Sequence, residues 1–171
     1  MRRLLLLSPI LIAVGCSVSI GSHVDDKDVQ AAITDLFHKN AGEDPASSSC
    51  DGTLAVKEGA TVKCKAADKA GTTWPVTAKA AKVNGNDVSV EAAFDDRVVA
   101  ADDAQTKIEN MYRQISDGEV AGVACPGLQK LEANSSRKCT VTQVDGRTVP
   151  VTFVISAVKG DQYSYSVGLD H

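Results

Sequence analysis

What this chain lacks narrows the possibilities first. Aromatic residues are scarce, with three Phe, three Tyr and one Trp in 171 residues, so any hydrophobic core is thin in large side chains. Basic residues are outnumbered, 18 Lys and Arg against 22 Asp and Glu. That balance argues against a nucleic-acid-binding surface, because affinity for a phosphate backbone comes from clustered positive charge. No apolar run reaches the roughly 20 residues that a membrane-spanning helix needs; the longest, Leu4 to Val14, is interrupted by Ser8 and Pro9. A charged fraction of 23% with 13 Gly also excludes collagen, a coiled coil and a wholly disordered chain.

Catalytic signatures are missing as well. Neither Gly-x-Ser-x-Gly, His-Glu-x-x-His, the phosphate-binding Gly-x-x-x-x-Gly-Lys nor Gly-x-Gly-x-x-Gly occurs. His23, His38 and His171 stand at unrelated places and there is no Cys-x-x-Cys, so a zinc site has no ligand set. Asp25-Asp26-Lys27-Asp28 and Asp95-Asp96 lack the alternating oxygen ligands and Gly of a calcium loop. His38 reads as a solvated surface side chain and Ser47-Ser48-Ser49 as a loop. The expectation is a protein with no catalytic residue, no metal and no cofactor.

The N-terminus supplies the clearest positive signal. Arg2 and Arg3 precede the short apolar run, which stops at Gly15-Cys16, the layout of a secretory leader. Ala13-Val14-Gly15-Cys16 resembles the bacterial lipobox, in which a Cys after a small residue is lipidated and becomes the mature N-terminus; Ala13 stands where Leu is usual. Five Cys leave one over if the other four pair, and Cys16 is the odd one out. The expected result is a protein anchored to the outer face of the cell membrane by lipid on Cys16. Each buried CH2 of an acyl chain contributes about 0.8 kcal/mol.

The remainder is one unit written twice. Sliding the chain against itself by 75 positions aligns residues 23–95 with 98–170 and matches 18 of 73 positions. Cys50, Gly52 and Cys64 fall on Cys125, Gly127 and Cys139, and Pro75-Val76-Thr77 falls on Pro150-Val151-Thr152. An internal duplication accounts for this. Each copy opens with a helical stripe: Val29, Ala32, Ile33, Leu36 and Phe37 in the first, Ala104, Ile108, Met111, Tyr112 and Ile115 in the second. Asp residues sit at the helix starts, and Gly42 and Gly118 follow as stop signals. The period then changes to two, as in Val149, Val151, Phe153, Ile155 and again in Tyr163, Tyr165, Val167, Leu169. Three antiparallel strands per copy are predicted, with a fourth short one near Thr53 to Val56, and Pro75 and Pro150 are expected to start a strand or lie at an edge.

Cys50 to Cys64 and Cys125 to Cys139 both span 14 positions. In an exported chain this favours one disulfide inside each repeat, worth about 3 kcal/mol for a loop of that size. Among the aromatics, Tyr163 and Tyr165 share one face of the last predicted strand with Phe153 on its neighbour. They pack as core or, in the sharper alternative, present a binding face.

Helix, Cys-Asp-Gly or Cys-Pro-Gly, second Cys, Gly turn and paired strands after a lipobox: this resembles the actinobacterial domain of unknown function numbered 4333. Val123-Ala124-Cys125-Pro126-Gly127 carries the likeness best, whereas the first copy departs from it with Ser49-Cys50-Asp51-Gly52. The resemblance implies an envelope location and a small α+β domain and supplies no activity. A looser architectural analogy is to beta-lactamase-inhibitory proteins, which also join two disulfide-closed helix-plus-sheet repeats.

These readings combine into an α+β chain of two tandem repeats. Each has an N-terminal amphipathic helix packed on a small antiparallel sheet of three to four strands with an internal disulfide. Residues 1–15 form the leader, 16–22 the lipidated Cys and spacer, 23–95 the first repeat, 96–101 a linker and 102–171 the second repeat. The expected role is a non-enzymatic, lipid-anchored envelope module that binds or scaffolds an envelope protein or ligand and no nucleic acid. The alternative is an inhibitor or a small-ligand or lipid carrier using a sheet face or the cleft between repeats.

Overall fold

A computed structural model describes residues 23–85, 87–116 and 119–170. The predicted leader, Cys16 and the stop signal Gly118 lie outside the described residues. The first half contains α1 (Asp26–Ala41), β1 (Ser47–Cys50), β2 (Thr61–Ala67), β3 (Thr73–Asn84) and β4 (Asp87–Phe94). The second contains β5 (Val98–Val99), α2 (Ala101–Ile115), β6 (Val120–Ala124), β7 (Gln129–Lys130), β8 (Ser136–Gln143), β9 (Thr148–Lys159) and β10 (Gln162–Leu169). Strands β1-β2-β3-β4 form one antiparallel sheet, β10-β9-β8-β6 a second, and β5-β7 a two-stranded ribbon. The mixed α and β character, the antiparallel sheets and the paired cysteines follow the sequence expectation.

The helices begin and end for identifiable reasons. Asp25 caps α1 by accepting a hydrogen bond from the Lys27 amide, while Asp26 and Asp28 place negative charge against the helix N-terminus. Gly42 closes it at φ 72°, a conformation that side chains with a Cβ avoid, and its N–H reaches the His38 carbonyl. Val29, Ile33 and Phe37 of the predicted stripe are buried, as are Ala104, Ile108 and Tyr112 of α2. Ile115 departs from the prediction: at the last turn of α2 it is 59% exposed. The helices also sit differently over their sheets, α1 against β3 and β4 and α2 against β6.

Within the sheets, alternation decides which side chains turn inward. Strand β2 buries Val62, Cys64 and Ala66 and exposes Thr61, Lys63 and Lys65. Two expectations are corrected here. Ser47-Ser48-Ser49 is strand β1, not a loop, and it is the fourth strand, in place of the stretch near Thr53. Serine has little intrinsic preference for strands, but Cys50 stands opposite Cys64 and their disulfide fastens β1 to the edge of β2. Pro75 and Pro150 sit in the interior strands β3 and β9 rather than at a strand start or sheet edge. Each is tolerated because its carbonyl, and so its missing N–H, faces the neighbour just past its last paired residue: Pro75 accepts from the Asp95 amide and Pro150 from that of Asp170.

The segment 96–101 is also more than a linker. It contains β5, which pairs Val98 with Lys130 and Val99 with Gln129. The first half has the equivalent in an isolated bridge between His23 and Ala55. Two hydrophobic cores result. One gathers Ile33, Phe37, Trp74 and Val76, the other Ile108, Tyr112, Val151, Phe153 and Ile155. Leu128, from the second half, belongs to the first core.

Candidate functional site

The structure pairs the cysteines as Cys50–Cys64 and Cys125–Cys139. Such bonds persist in oxidising compartments outside the cytoplasm. Among the described residues, no helix is long and apolar enough to cross a membrane, and no group of His, Cys, Asp and Glu is placed to hold a metal ion.

The three aromatics singled out from the sequence do come together, in unequal roles. Phe153 is fully buried on β9 as part of the second core, which also holds Ala104, Ile108 and Tyr112 of α2. Tyr165 stacks on it with ring centroids 5.3 Å apart, and Tyr163 meets it edge-on at 6.5 Å. Both tyrosines are only partly buried. Sequence alone could not separate these roles, since all three lie on inward-facing strand positions; only the position of α2 decides which ring it covers.

Beside Tyr163 lies an open cleft of about 640 Å³ lined by Asp103, Lys107, Lys159, Asp161, Gln162 and Ser164. The Tyr163 hydroxyl donates to the Asp103 carboxylate, which also pairs with Lys107 one helical turn on. The Lys107 ammonium lies 5.1 Å from the Tyr163 ring centroid and 5.8 Å from that of Tyr165, within range of cation–π attraction. Burial would push Asp103 up, but hydrogen bonds from Lys107 and Tyr163 outweigh it and hold the carboxyl below its ordinary value. Burial, then the bond to Asp103, pushes the Tyr163 phenol well above the usual tyrosine range. Asp103 and the Tyr163 phenol at the cleft wall are therefore spent on each other and on Lys107, while Asp161, the other carboxylate of the lining, stands exposed at the rim 3.6 Å from Arg97. Sequence reasoning missed Asp103 and Lys107 because their i, i+4 spacing on a helix is an ordinary surface pattern.

A second cluster joins the two halves. Asp68, fully buried at the end of β2, accepts from the Thr72 amide at 2.8 Å, the Trp74 indole N–H at 2.9 Å and the Leu128 amide at 3.3 Å. The neighbouring Gly127 amide donates to Glu43 at 3.3 Å. Gly127 has φ 75°, and a Cβ there would lie 3.1 Å from the Asp68 carboxylate and 3.3 Å from Ala70. The Cys-Pro-Gly-Leu loop of the second half thus docks on the β2–β3 turn of the first, with Leu128 plugged into its core. Arg137, 5% exposed, lies close by; burial draws its pKa down to about 10 against the pull of Asp68 and Glu43, which leaves the guanidinium charged at neutral pH.

On the outer sheet faces one triplet is duplicated. Lys63 reaches Thr77 at 2.7 Å and Asp95 at 2.9 Å, and Lys138 reaches Thr152 at 2.8 Å and Asp170 at 2.7 Å. Hydrogen bonds from Thr77 and Lys63 hold Asp95 below its ordinary pKa. His38 pairs with Asp44 on the surface, as its place on α1 suggested.

No curated protein and no solved structure matches the chain. A family of domains of unknown function, DUF4333, matches it twice, over residues 11–85 and 88–160, each match ending at the Gly that precedes the last strand of its half. The chain belongs to the DUF4333 family and carries two copies of its domain.

Proposed function

We propose that this protein is a non-catalytic binding module of the cell envelope, held at the outer face of the cell membrane by lipid on Cys16. In this reading it engages another envelope component through the cleft beside Tyr163. The observation that supports it most is the self-pairing of Asp103, Lys107 and Tyr163. A general base or nucleophile needs an accessible lone pair aimed at a substrate, whereas charges fixed against each other and backed by aromatic rings suit recognition. The cleft is open and polar at its rim, which favours a polar partner over an enclosed apolar cargo. The seam between the repeats, the other place for a carrier's ligand, is filled by Leu128.

A photo-reactive side chain at Ser164, which lines the cleft, tests the binding role in intact cells. A defined captured species that disappears with Lys107→Ala supports it; labelling indistinguishable from a probe at Lys79 on the first sheet overturns it. Cys16→Ser tests the anchor separately, since it is expected to move the protein from the membrane fraction into the medium.

A further inference from the structure

The 75-residue duplication pairs every part of the seam with a counterpart elsewhere in the molecule. The turn that receives the Gly127 loop, residues 68–72, corresponds to residues 143–147 between β8 and β9. Their backbones match. The Asp68 amide bonds the Thr72 carbonyl at 2.9 Å and the Gly71 amide bonds the Asp68 carbonyl at 3.0 Å. The Gln143 amide bonds the Arg147 carbonyl at 2.8 Å and the Gly146 amide bonds the Gln143 carbonyl at 2.9 Å. In the first half this turn is covered by the docked loop. In the second half it borders an open hollow of about 310 Å³ lined by Glu119, Gln143, Val144, Asp145 and Arg147.

Two features of the hollow mark it as a receiving surface. Gln143, the counterpart of Asp68, is 7% exposed; its amide nitrogen donates to the Tyr112 hydroxyl, and its Oε1 has no hydrogen-bond partner. A buried acceptor left in that state costs about 1–3 kcal/mol; because this oxygen is sealed from solvent, an incoming donor meets it only when the Gln143 side chain turns toward the hollow. Asp68 fills the same position and does accept an incoming amide, that of Leu128. Val144, next in the chain, is 63% exposed, an apolar side chain held out at the rim.

The loop equivalent to 125–128 is Cys50-Asp51-Gly52-Thr53 in the first half. Asp51, Gly52 and Thr53 are all exposed, and Gly52, at φ 156° against 75° for Gly127, has open space where its Cβ would be. We propose that the β8–β9 turn of one molecule receives the Cys50–Thr53 loop of a second copy, with Gln143 Oε1 accepting a backbone amide of that loop. The operation that places the second repeat on the first is then repeated between molecules. Such a contact is heterologous, so it builds open head-to-tail chains rather than closed dimers. Thr53 replaces Leu128, so the contact between molecules buries less apolar surface than the seam and lacks its covalent linkage. Association is accordingly weak in dilute solution and is promoted where a surface concentrates the chains. The hollow shares no residue with the cleft beside Tyr163, so this contact rests on the reading above only in treating the chain as an interaction module.

Sedimentation velocity of the Cys16→Ser chain across a concentration series tests it. The expected result is mass that rises with concentration past the dimer. Thr53→Leu, which makes the exposed loop resemble the docked one, is expected to tighten association at least tenfold. Val144→Asp, at an exposed position that leaves folding intact, is expected to abolish it. A chain that stays monomeric to millimolar concentration even with Thr53→Leu overturns the inference, as does association indifferent to both substitutions. Either result leaves the cleft-binding role to its own crosslinking test.

Discussion

Replacing Gly127 by Ala probes the seam with one methyl group. The backbone there has φ 75°, and an L-residue in the left-handed region costs roughly 1–2 kcal/mol. The added Cβ would stand 3.1 Å from the Asp68 carboxylate and 3.3 Å from the Ala70 Cβ. Asp68 has no slack to give, because it holds the Thr72 amide, the Trp74 indole and the Leu128 amide together. Losing the Leu128 bond to a buried carboxylate adds about 1.5–3 kcal/mol, for a total of about 2.5–5 kcal/mol. Gly71→Ala is the matched control: its φ is 85° and its Cβ meets nothing within 4 Å, so it reports backbone strain alone. Urea denaturation followed by fluorescence of Trp74, the single tryptophan and a direct partner of Asp68, reads both variants. If Gly127→Ala is no more destabilising than Gly71→Ala, the close approach at the seam does not govern stability and the reasoning fails.

Reducing the disulfides is expected to cost about 3 kcal/mol for each bond, seen as a lower urea midpoint in reductant. Folded Tyr163 has a raised pKa relative to its ordinary 10.0, so its hydrogen bond to Asp103 stabilises fully below pH 10 and is lost as pH climbs beyond it. An ultraviolet titration should show a late-ionising component that Tyr163→Phe removes. Asp95 is shifted the other way, below 3.8. Its contribution is intact at neutral pH and drains away only as pH falls through its lowered folded value, and Asp95→Asn is expected to flatten the acid limb of the stability profile.

The duplication made much of this architecture legible before any coordinates. Identities at Cys50/Cys125, Cys64/Cys139 and Gly71/Gly146 mark positions where both copies need the same backbone or bond. The helical stripes identified the buried faces because each helix must hide one side. What stayed hidden depends on contacts distant in sequence. Ser47-Ser48-Ser49 becomes a strand only because β2 and a disulfide hold it there. Ile115 falls on the stripe yet stands clear of the core because its helix ends at that turn. The seam is written in differences rather than identities, Asp68 against Gln143 and Leu128 against Thr53. Two copies that touch asymmetrically must diverge where they meet, so those mismatches were the available clue. Lys107 and Asp103 carried no such mark.

The plug at Leu128 has a consequence for the order in which the molecule matures. A chain emerges N-terminus first, and early domains generally fold as they appear. Here the earlier half cannot complete its interior until a side chain made much later arrives to fill it. The first half made alone is therefore expected to be less stable than the same residues in the whole chain, because the Leu128 side chain that completes its interior is missing.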